Sequence, residues 1–231
     1  MLTKRRFIAL GAVAGLSACI RAPQPPEQPV PAPPIYPPLP EFYSAIHDEP
    51  FPIAAIEEGS LAPELWRQEV QNPWPDRPRG SIVIDPDARL LHFVESPERA
   101  MRYGVSVGAQ GFSWDGTARL QFTREWPRWK VPDDMIKRRP ELAPYSVANG
   151  GMDPGPGNPL GARALYLFQN GQDTLYRIHG DASAKELGHA VSSGCIRMLN
   201  QDAIDLYERS IHGAAVTVLA SLAPQGVSAV Y

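Results

Sequence analysis

Cysteine is scarce in this sequence. Only two cysteines, Cys19 and Cys195, occur among 231 residues. Neither a Cys-x-x-Cys pair nor a His-Glu-x-x-His pattern is present, and these are the spacings most typical of zinc sites. The sequence therefore gives no reason to expect a metal.

Long basic and long apolar runs are also missing. The three cations Lys4-Arg5-Arg6 stand at the start, but the formal net charge is -3, so nucleic acid is not an expected partner. The apolar run from Phe7 to Leu16 has about ten residues, which is too short to cross a bilayer as a stable helix. Hydrophobic residues still make up 43% of the chain, enough to form a globular core.

The first residues read as a targeting segment. A basic start and a short apolar run are followed by Leu16-Ser17-Ala18-Cys19, which resembles a bacterial lipoprotein cleavage site. We predict a signal peptide over 1–18 and a lipid on Cys19, and hence a membrane anchor. The alternative is a plain secretory signal. Thr3 to Phe7 resembles a twin-arginine signal imperfectly, which leaves the export route open. Ile20 after the lipid cysteine favours the outer membrane and the periplasmic face of the cell envelope.

Proline is concentrated after the predicted cleavage site. Residues 23–40 contain ten of the 26 prolines, so this stretch cannot form a helix or sheet. We predict that 19–42, from the lipidated Cys19 onward, is a linker. Its 18 proline-rich residues form a polyproline II spacer that reaches roughly 55 Å. A motif for binding another protein is the alternative.

Three further segments follow the linker. Residues 43–79 are predicted to wrap around the main domain, with one short helix over Ala62 to Gln71. Residues 80–221 are predicted to form the main compact domain, and 222–231 a C-terminal tail.

The compact domain shows many short strand patterns and few helical ones. Pro86-Asp87-Ala88 predicts a hairpin turn, and Gln169-Asn170-Gly171-Gln172 predicts another. Asn200 is a predicted N-cap for a helix that ends near Ser210. Strands are predicted over 81–85, 89–94, 101–107, 117–122, 164–168, 175–179 and 215–219, and a short helix over 133–142. This pattern favours a mainly β sandwich or barrel-like domain with a few short helices.

One cysteine and one histidine stand in motifs that suggest chemistry. Tyr176 to Gly180 ends in His179-Gly180, and the turn Ser192-Ser193-Gly194 presents Cys195 sixteen residues after His179. A lone cysteine in an exported protein is either paired with a cysteine of another molecule or a reactive thiol. A neighbouring imidazolium would stabilise the thiolate, and Gly194 could expose backbone N–H groups to an oxyanion.

These motifs resemble the L,D-transpeptidase (YkuD-domain) family. The resemblance covers about residues 80–220. It rests on the His-Gly and Ser-Ser-Gly-Cys motifs and on several further stretches: Met101 to Val105, Glu125-Trp126-Pro127, Gly157 to Gly161 and Asn200-Gln201-Asp202. The implied fold is a mainly β catalytic domain.

The resemblance implies a specific reaction. Cys195 matches the family nucleophile and His179 the family base. The family attacks the carbonyl between the third residue of a peptidoglycan stem peptide and its terminal D-Ala, and forms a thioester. An amine acceptor or water then resolves the thioester, and neither a metal nor an organic cofactor takes part. The implied partners are stem peptides and, as one acceptor, an envelope protein.

Two positions depart from the family pattern. Ser193 stands where the family most often has His, and Asp181 where it usually has Thr. Asp181 either holds the His179 tautomer or is a solvated loop residue.

Gly194, Ser193, Ser192 and Gly180 are the predicted supports of the site. Ser192 has an alternative role as a turn former. Arg197 either binds a stem-peptide carboxylate or braces the site through an ion pair.

Three hypotheses follow. The first is a transferase that forms 3-3 cross-links or attaches an envelope protein to the wall. The second is a hydrolase, such as an L,D-carboxypeptidase or amidase, that passes the same thioester to water. The third is a peptidoglycan-binding lipoprotein without activity, which either a fully buried Cys195 or a Cys195 far from His179 would favour.

Overall fold

A computed structural model describes residues 36–108, 115–192 and 194–222, and gives only the backbone for Val191 and Ser192. The predicted signal peptide, Cys19, Ser193 and residues 223–231 lie outside the described residues. All described residues belong to one compact unit.

The described residues form a mainly β structure. The strands are β1 (Gln68–Gln71), β2 (Ile82–Asp85), β3 (Leu90–Val94), β4 (Arg99–Gly104), β5 (Val107–Gly108), β6 (Gly116–Glu125), β7 (Arg163–Gln169), β8 (Gln172–His179), β9 (Ala190–Ser192), β10 (Ile196–Arg197) and β11 (Ala215–Val218). The α-helices of the described part are α1 (Asp133–Arg138) and α2 (Asn200–Arg209). Glu41–Tyr43, Pro63–Leu65 and Pro140–Tyr145 form 3-10 helices. The predicted fold class is confirmed.

Nine strands form one mixed sheet in the order β1-β4-β3-β2-β11-β6-β7-β8-β10, and β5 pairs with β9 separately. Local hairpins build most of the large sheet. Asn170 (φ 52°) and Gly171 (φ 76°) both adopt the left-handed region, as the tight turn between β7 and β8 requires. Two pairs in this sheet are parallel, β2 with β11 and β8 with β10.

A backbone bridge connects strands that are far apart in the sheet order. Ser106, two residues after β4, pairs with Arg197 of β10. The Ser106 N–H donates to the Arg197 carbonyl at 2.9 Å, and the Arg197 N–H donates back at 2.8 Å. The bridge links the last strand of the order to the second, which gives the sheet a barrel-like closure.

The core lies inside this closed sheet. Both ends of the strand order contribute buried side chains, such as Tyr103 of β4 and Ile178 of β8. Helix α2 plugs the interior with Ala203 and Leu206, which are 1% and 0% exposed. In the described part of the chain, no helix is both long enough and apolar enough to span a bilayer.

The segment 43–79 packs against the domain with side chains and with one strand. Tyr43 and Leu61 are buried in a small apolar cluster with Leu187 and Leu199. Strand β1 pairs antiparallel with the edge of β4. The segment therefore contributes to the main sheet.

Three helix predictions need correction. The helix predicted over 62–71 is wrong: a 3-10 turn at Pro63–Leu65 leads into β1, because the open edge of β4 satisfies the backbone better than an isolated short helix. The helix predicted over 133–142 ends at Arg138, since Pro140 cannot continue it. Asn200 is not an N-cap: Leu199 holds that position, and the Asn200 side chain bonds elsewhere.

A buried polar network joins the segment to helix α2. The Tyr43 hydroxyl donates to Asp202 at 3.2 Å and accepts the Arg67 backbone N–H at 2.7 Å. The Arg67 guanidinium lies 2.9 Å from Asp205, which also accepts the Tyr103 hydroxyl at 2.6 Å. Burial raises the pKa of Asp202 to about 7, and the charge of Arg67 opposes this shift.

We expect Asp202→Asn to change how stability depends on pH. Because the folded pKa is raised, the contribution of Asp202 is fully present below pH 4 and is lost as the pH rises to 7. A shift from 3.8 to about 7 corresponds to about 4 kcal/mol. Between pH 4 and pH 8, the difference in unfolding free energy between Asp202→Asn and the wild type should therefore change in favour of the variant by up to about 4 kcal/mol.

Urea unfolding of both proteins at pH 4, 6 and 8 measures this difference. The contributions of the other titrating groups are the same in both proteins and cancel in the difference. Asp173→Asn is the matched control, because hydrogen bonds from Arg177 and the Leu175 N–H keep the pKa of Asp173 low despite its partial burial, and Asp173 does not influence the pKa of Asp202. Its stability loss should stay constant above pH 5. Parallel curves for Asp202→Asn and wild type would contradict the assignment.

Candidate active site

His179 is the last residue of β8 and is only 4% exposed. Its backbone is held from both sides, since the His179 carbonyl accepts the Met198 N–H at 2.8 Å and the next N–H, of Gly180, donates to Arg163 at 3.1 Å. The imidazole is therefore fixed at the end of a strand that is itself anchored in the sheet.

Strand pairing brings Cys195 to the end of β8 that carries this histidine. In the parallel pair of β10 and β8, Ile196 is opposite Ile178 and Arg197 is opposite His179. Extending the register by one residue puts Cys195 opposite Arg177. Since side chains alternate along strands, Cys195, Arg177, Arg197 and His179 share one face. Both arginines influence the pKa values of both Cys195 and His179, which is consistent with this grouping.

Burial keeps the imidazole neutral. It lowers the pKa of His179 to about 4, with the positive charges of Arg197 and Arg177 adding to the effect and the carbonyls of Gly180 and Pro159 opposing it. Nδ1 lies 2.9 Å from the Gly180 carbonyl, which can only accept a hydrogen bond. We therefore assign the proton to Nδ1, which leaves Nε2 as the basic nitrogen.

The thiol is also in its neutral form. Burial raises the pKa of Cys195, although a backbone hydrogen bond from Arg177 and the charges of Arg177 and Arg197 act in the opposite direction. Part of the residue remains accessible. The expected imidazolium–thiolate pair is thus not the resting state. The site instead holds a thiol and a neutral base.

This resting state predicts slow alkylation of Cys195 at neutral pH. Iodoacetamide reacts with the thiolate, and the raised pKa lies above the ordinary value of 9. The rate should rise about tenfold for each pH unit from 7 to 9. Mass spectrometry of the peptide that contains Cys195 measures it, with a free cysteine peptide as reference. A rate that is already constant below pH 7 would indicate a thiolate and contradict the assignment.

Arg197 braces the site. Its guanidinium donates to Glu186 at 2.8 Å and to the Asp181 carbonyl at 2.7 Å. The ion pair predicted for Arg197 is present in the structure, and its role in binding a stem-peptide carboxylate stays a prediction. Asp181 does not hold the imidazole, since the carbonyl of Gly180 occupies Nδ1.

Asn200 organises the backbone around His179. Its Oδ1 accepts the Ala162 N–H at 2.9 Å and the Asp181 N–H at 3.1 Å. The same oxygen would lie only 2.1 Å from a Cβ at Gly180 and 2.4 Å from one at Gly161. Both glycines are required by this close approach.

The loop before Cys195 is described in part. Gly194 has φ 130°, which favours glycine directly before the thiol. The backbone of Ser192 belongs to β9 and pairs with Gly108. Ser193 lies outside the described residues, so its predicted supporting role stays a prediction.

Sequence reasoning missed two members of the site. Arg177 is 13% exposed, forms an ion pair with Asp173 at 2.7 Å and lies over the Tyr166 ring at 4.3 Å. Its position two residues before His179 in a strand was the available signal. Glu186, the partner of Arg197, lies in a loop and left no signal. Among the described residues, no group of three or more His, Cys, Asp or Glu could hold a metal ion.

A sequence model of the YkuD family, described as the L,D-transpeptidase catalytic domain, matches residues 79–218. The chain belongs to the YkuD L,D-transpeptidase family. The resemblance inferred from the His-Gly and Gly-Cys motifs is thereby confirmed. The match begins one residue before the predicted start of the domain, so most of the segment 43–79 precedes it.

Curated relatives of this family agree. A protein named as an L,D-transpeptidase from the ATP synthase region of Fuscovulum blasticum is 31% identical over 141 residues, covering 60% of this chain and 68% of that protein. The Escherichia coli K12 protein ErfK/SrfK, named as a probable L,D-transpeptidase, is 29% identical and covers 63% of this chain. The chain spans about two thirds of the first relative and only 46% of the second.

Solved structures also show similarity to this chain. A Brucella melitensis chain, described as a probable carnitine operon oxidoreductase, is 46% identical, with coverage of 69% of this chain and 97% of that one and a TM-score of 0.46. An L,D-transpeptidase from Mycobacterium smegmatis is 17% identical, covering 62% of this YkuD-family chain and 59% of that one, with a TM-score of 0.43.

Proposed function

We propose that this chain is a peptidoglycan L,D-transpeptidase in which Cys195 is the nucleophile and His179 the general base. The observation that carries the proposal is the parallel register of β8 and β10, which puts the half-buried Cys195 and the neutral imidazole of His179 on one face. Membership of the YkuD family supports peptidoglycan as the substrate.

The first half-reaction forms a thioester. His179 Nε2 takes the proton from Cys195 as Sγ attacks the carbonyl between the third residue of a stem tetrapeptide and its terminal D-Ala. The backbone N–H groups of the Gly194–Cys195 turn stabilise the oxyanion. When the C–N bond breaks, the proton on His179 passes to the leaving amine, and D-Ala departs.

The second half-reaction transfers the acyl group. An amine acceptor attacks the thioester, a C–N bond forms and the C–S bond breaks. His179 accepts a proton from the amine and returns it to Sγ. Either a second stem peptide or an envelope protein supplies the amine.

The two arginines favour the charged form of the nucleophile. Burial raises the pKa of Cys195, so thiolate is costly at rest, whereas Arg177 and Arg197 stabilise negative charge on sulfur as it develops. Both guanidinium groups are fixed by ion pairs. Arg177 pairs with Asp173 at 2.7 Å, and Arg197 pairs with Glu186 at 2.8 Å. Cys195 therefore passes its proton to His179 at the same time as Sγ attacks the carbonyl.

Product analysis tests the proposal. The protein is incubated with a disaccharide tetrapeptide, with and without an amine acceptor, and products are identified by mass. We expect release of D-Ala, a tripeptide thioester on the Cys195 peptide, and a new amide bond when the acceptor is present. Tripeptide alone in both conditions would identify a hydrolase. The absence of any acyl-enzyme would favour the binding module.

We also propose that the domain is anchored in the cell envelope by a lipid on Cys19, with the proline-rich 19–42 as the linker. The resemblance of Leu16-Ser17-Ala18-Cys19 to a bacterial lipoprotein cleavage site supports this proposal. Labelled fatty acid should enter the wild-type protein but not Cys19→Ser. Equal labelling of both would refute it.

A further inference from the structure

A loop in the segment 43–79 carries a buried carboxylate. Ile46 and Ile53 close this loop as an antiparallel bridge, in which each backbone N–H donates to the carbonyl of the other residue at 2.9 Å. Glu49 lies between them, and its side chain is only 13% exposed. A carboxylate at this depth requires partners that compensate its charge.

Glu49 has three such partners. Its Oε1 accepts a hydrogen bond from Arg163 Nη2 at 2.6 Å, and its Oε2 accepts from Arg163 Nη1 at 2.9 Å and from Trp126 Nε1 at 2.7 Å. The two bonds from Arg163 form the bidentate arrangement that fixes a guanidinium most firmly. The hydrogen bonds from Arg163 hold the pKa of Glu49 below its usual value, so the pair is charged at neutral pH.

Arg163 depends on this carboxylate. The residue is 6% exposed, and burial alone would lower its pKa, but the hydrogen bonds and charge of Glu49 reverse that shift. Among the described residues, Glu49 is the carboxylate in ion-pair contact with Arg163. Glu125 adds a smaller attraction, and the Tyr207 ring lies 5.1 Å from the guanidinium carbon. Without Glu49, Arg163 would be a buried cation with no bound counter-charge, which is strongly unfavourable.

The backbone of Arg163 adjoins the catalytic base. Arg163 is the first residue of β7, and the next residue, Ala164, is paired with His179 in the sheet. The Arg163 carbonyl accepts the Gly180 N–H at 3.1 Å. The Gly180 carbonyl in turn lies 2.9 Å from His179 Nδ1. One residue, Gly180, therefore connects Arg163 to the imidazole.

A second connection runs through the neighbouring residue, Ala162. Its carbonyl accepts a hydrogen bond from Arg163 Nη1 at 2.9 Å and from the Trp126 N–H at 2.8 Å, and Glu49 holds the side chains of both donors. The Ala162 N–H donates to Asn200 Oδ1, the atom that organises the backbone around the catalytic base. The two connections reach the same short stretch of backbone from both sides.

We propose that Glu49 is a positioning residue for acylation: by fixing Arg163 it fixes the Gly180 backbone that orients the His179 imidazole. The inference rests on the proposed transpeptidase function and adds to it a residue that precedes 79–218, the part of the chain that the family model matches. Glu49 acts through Arg163 and takes no part in the chemical step itself. The segment that carries it is thereby required for full activity.

Glu49→Gln tests the proposal in the full chain. The variant keeps the size of the side chain, but it removes the charge and turns an N–H donor toward Arg163. Because a displacement of about 1 Å at a catalytic group costs about 100-fold in rate, the single-turnover rate constant of acylation by tetrapeptide should fall about tenfold to hundredfold. The half-saturating tetrapeptide concentration should change by less than about twofold.

Glu69→Gln is the matched control. It makes the same substitution in the same segment and breaks an ion pair with Arg99 in which both side chains are more than half exposed. It should keep the rate constant of the wild type. A wild-type rate constant in Glu49→Gln as well would overturn the inference.

A pair of variants separates positioning from stability. Glu49→Leu alone leaves the Arg163 charge unpaired and should lower the midpoint of urea unfolding. Adding Arg163→Met removes that charge and should recover the midpoint, because apolar pairs of similar volume replace buried ion pairs at little cost. Acylation should stay at least about tenfold slow in the double variant, since the hydrogen bonds that fix the backbone are absent. A rate restored together with the stability would overturn the positioning role.

The proton on His179 Nδ1 tests the connection without substrate. In nitrogen-15 spectra its signal should shift and its exchange with solvent should become faster in Glu49→Gln, but not in Glu69→Gln. Slow acylation with an unmoved signal would overturn the route through Gly180. Absence of acylation in the wild type would overturn the proposed function, and the signal would still decide whether Glu49 positions the imidazole.

Discussion

Cys195→Ala should abolish acyl transfer, with a loss of at least about 10⁴-fold in kcat/KM. The variant removes the sulfur that attacks the stem-peptide carbonyl, and no other described nucleophile shares the face of β8 and β10. The mass adduct with a carbapenem, which acylates the reactive cysteine of this family, should vanish as well.

The fold should survive this change. Cys195 lies beside β10 and keeps part of its surface accessible, so the loss of one sulfur should cost about 1 kcal/mol. Unfolding in urea measures this, and Cys19→Ala serves as the control that retains both activity and the adduct. Transfer or adduct formation in Cys195→Ala would rule out Cys195 as the nucleophile.

Gly180→Ala should have the second largest effect, although it adds a single methyl group. The new Cβ would lie 2.1 Å from Asn200 Oδ1. Either the Asn200 side chain leaves its two backbone donors, or the end of β8 moves and takes the Gly180 carbonyl away from His179. Because a displacement of about 1 Å in a catalytic group costs about 100-fold in rate, we expect at least that loss in acylation.

A double substitution tests the cause. Asn200→Ala removes the clash but also the hydrogen bonds to Ala162 and Asp181, so it should be impaired alone. The pair Gly180→Ala with Asn200→Ala should be no worse than Asn200→Ala, which is a non-additive result. Gly171→Asn, in the open β7–β8 turn, is the control. Full additivity of the two losses would contradict the contact.

Local signals predicted the hairpins well. The turn at Asn170-Gly171 and the strands on either side of Pro86-Asp87 depend on neighbours in the sequence, so the pattern was sufficient. The segment 62–71 was different. Its Glu-Leu-Trp-Arg run suits a helix. In the structure, however, residues 68–71 pair with the edge of the strand at 99–104 and join the sheet. No local pattern contains that information.

The same distinction applies to the active site, where local motifs predicted some features and tertiary contacts determined the others. The motifs around His179 and Cys195 indicated the pair, yet their approach depends on parallel pairing between strands that the sequence did not reveal. Asn200 was assigned to a helix cap by a sound local rule. The Asn200 side-chain oxygen instead accepts hydrogen bonds from the backbone N–H groups of Ala162 and Asp181. These residues are distant in the sequence, so only the tertiary structure shows the contacts.

The bridge between Ser106 and Arg197 has a consequence for folding. Contacts between residues far apart in sequence form late, because the intervening chain must first be ordered. This bridge closes the sheet beside Cys195, so we expect the thiol to acquire its partners in the last steps of folding. Until then Cys195 has the reactivity of an ordinary thiol, so we expect a stem peptide to acylate the enzyme only after the chain has finished folding.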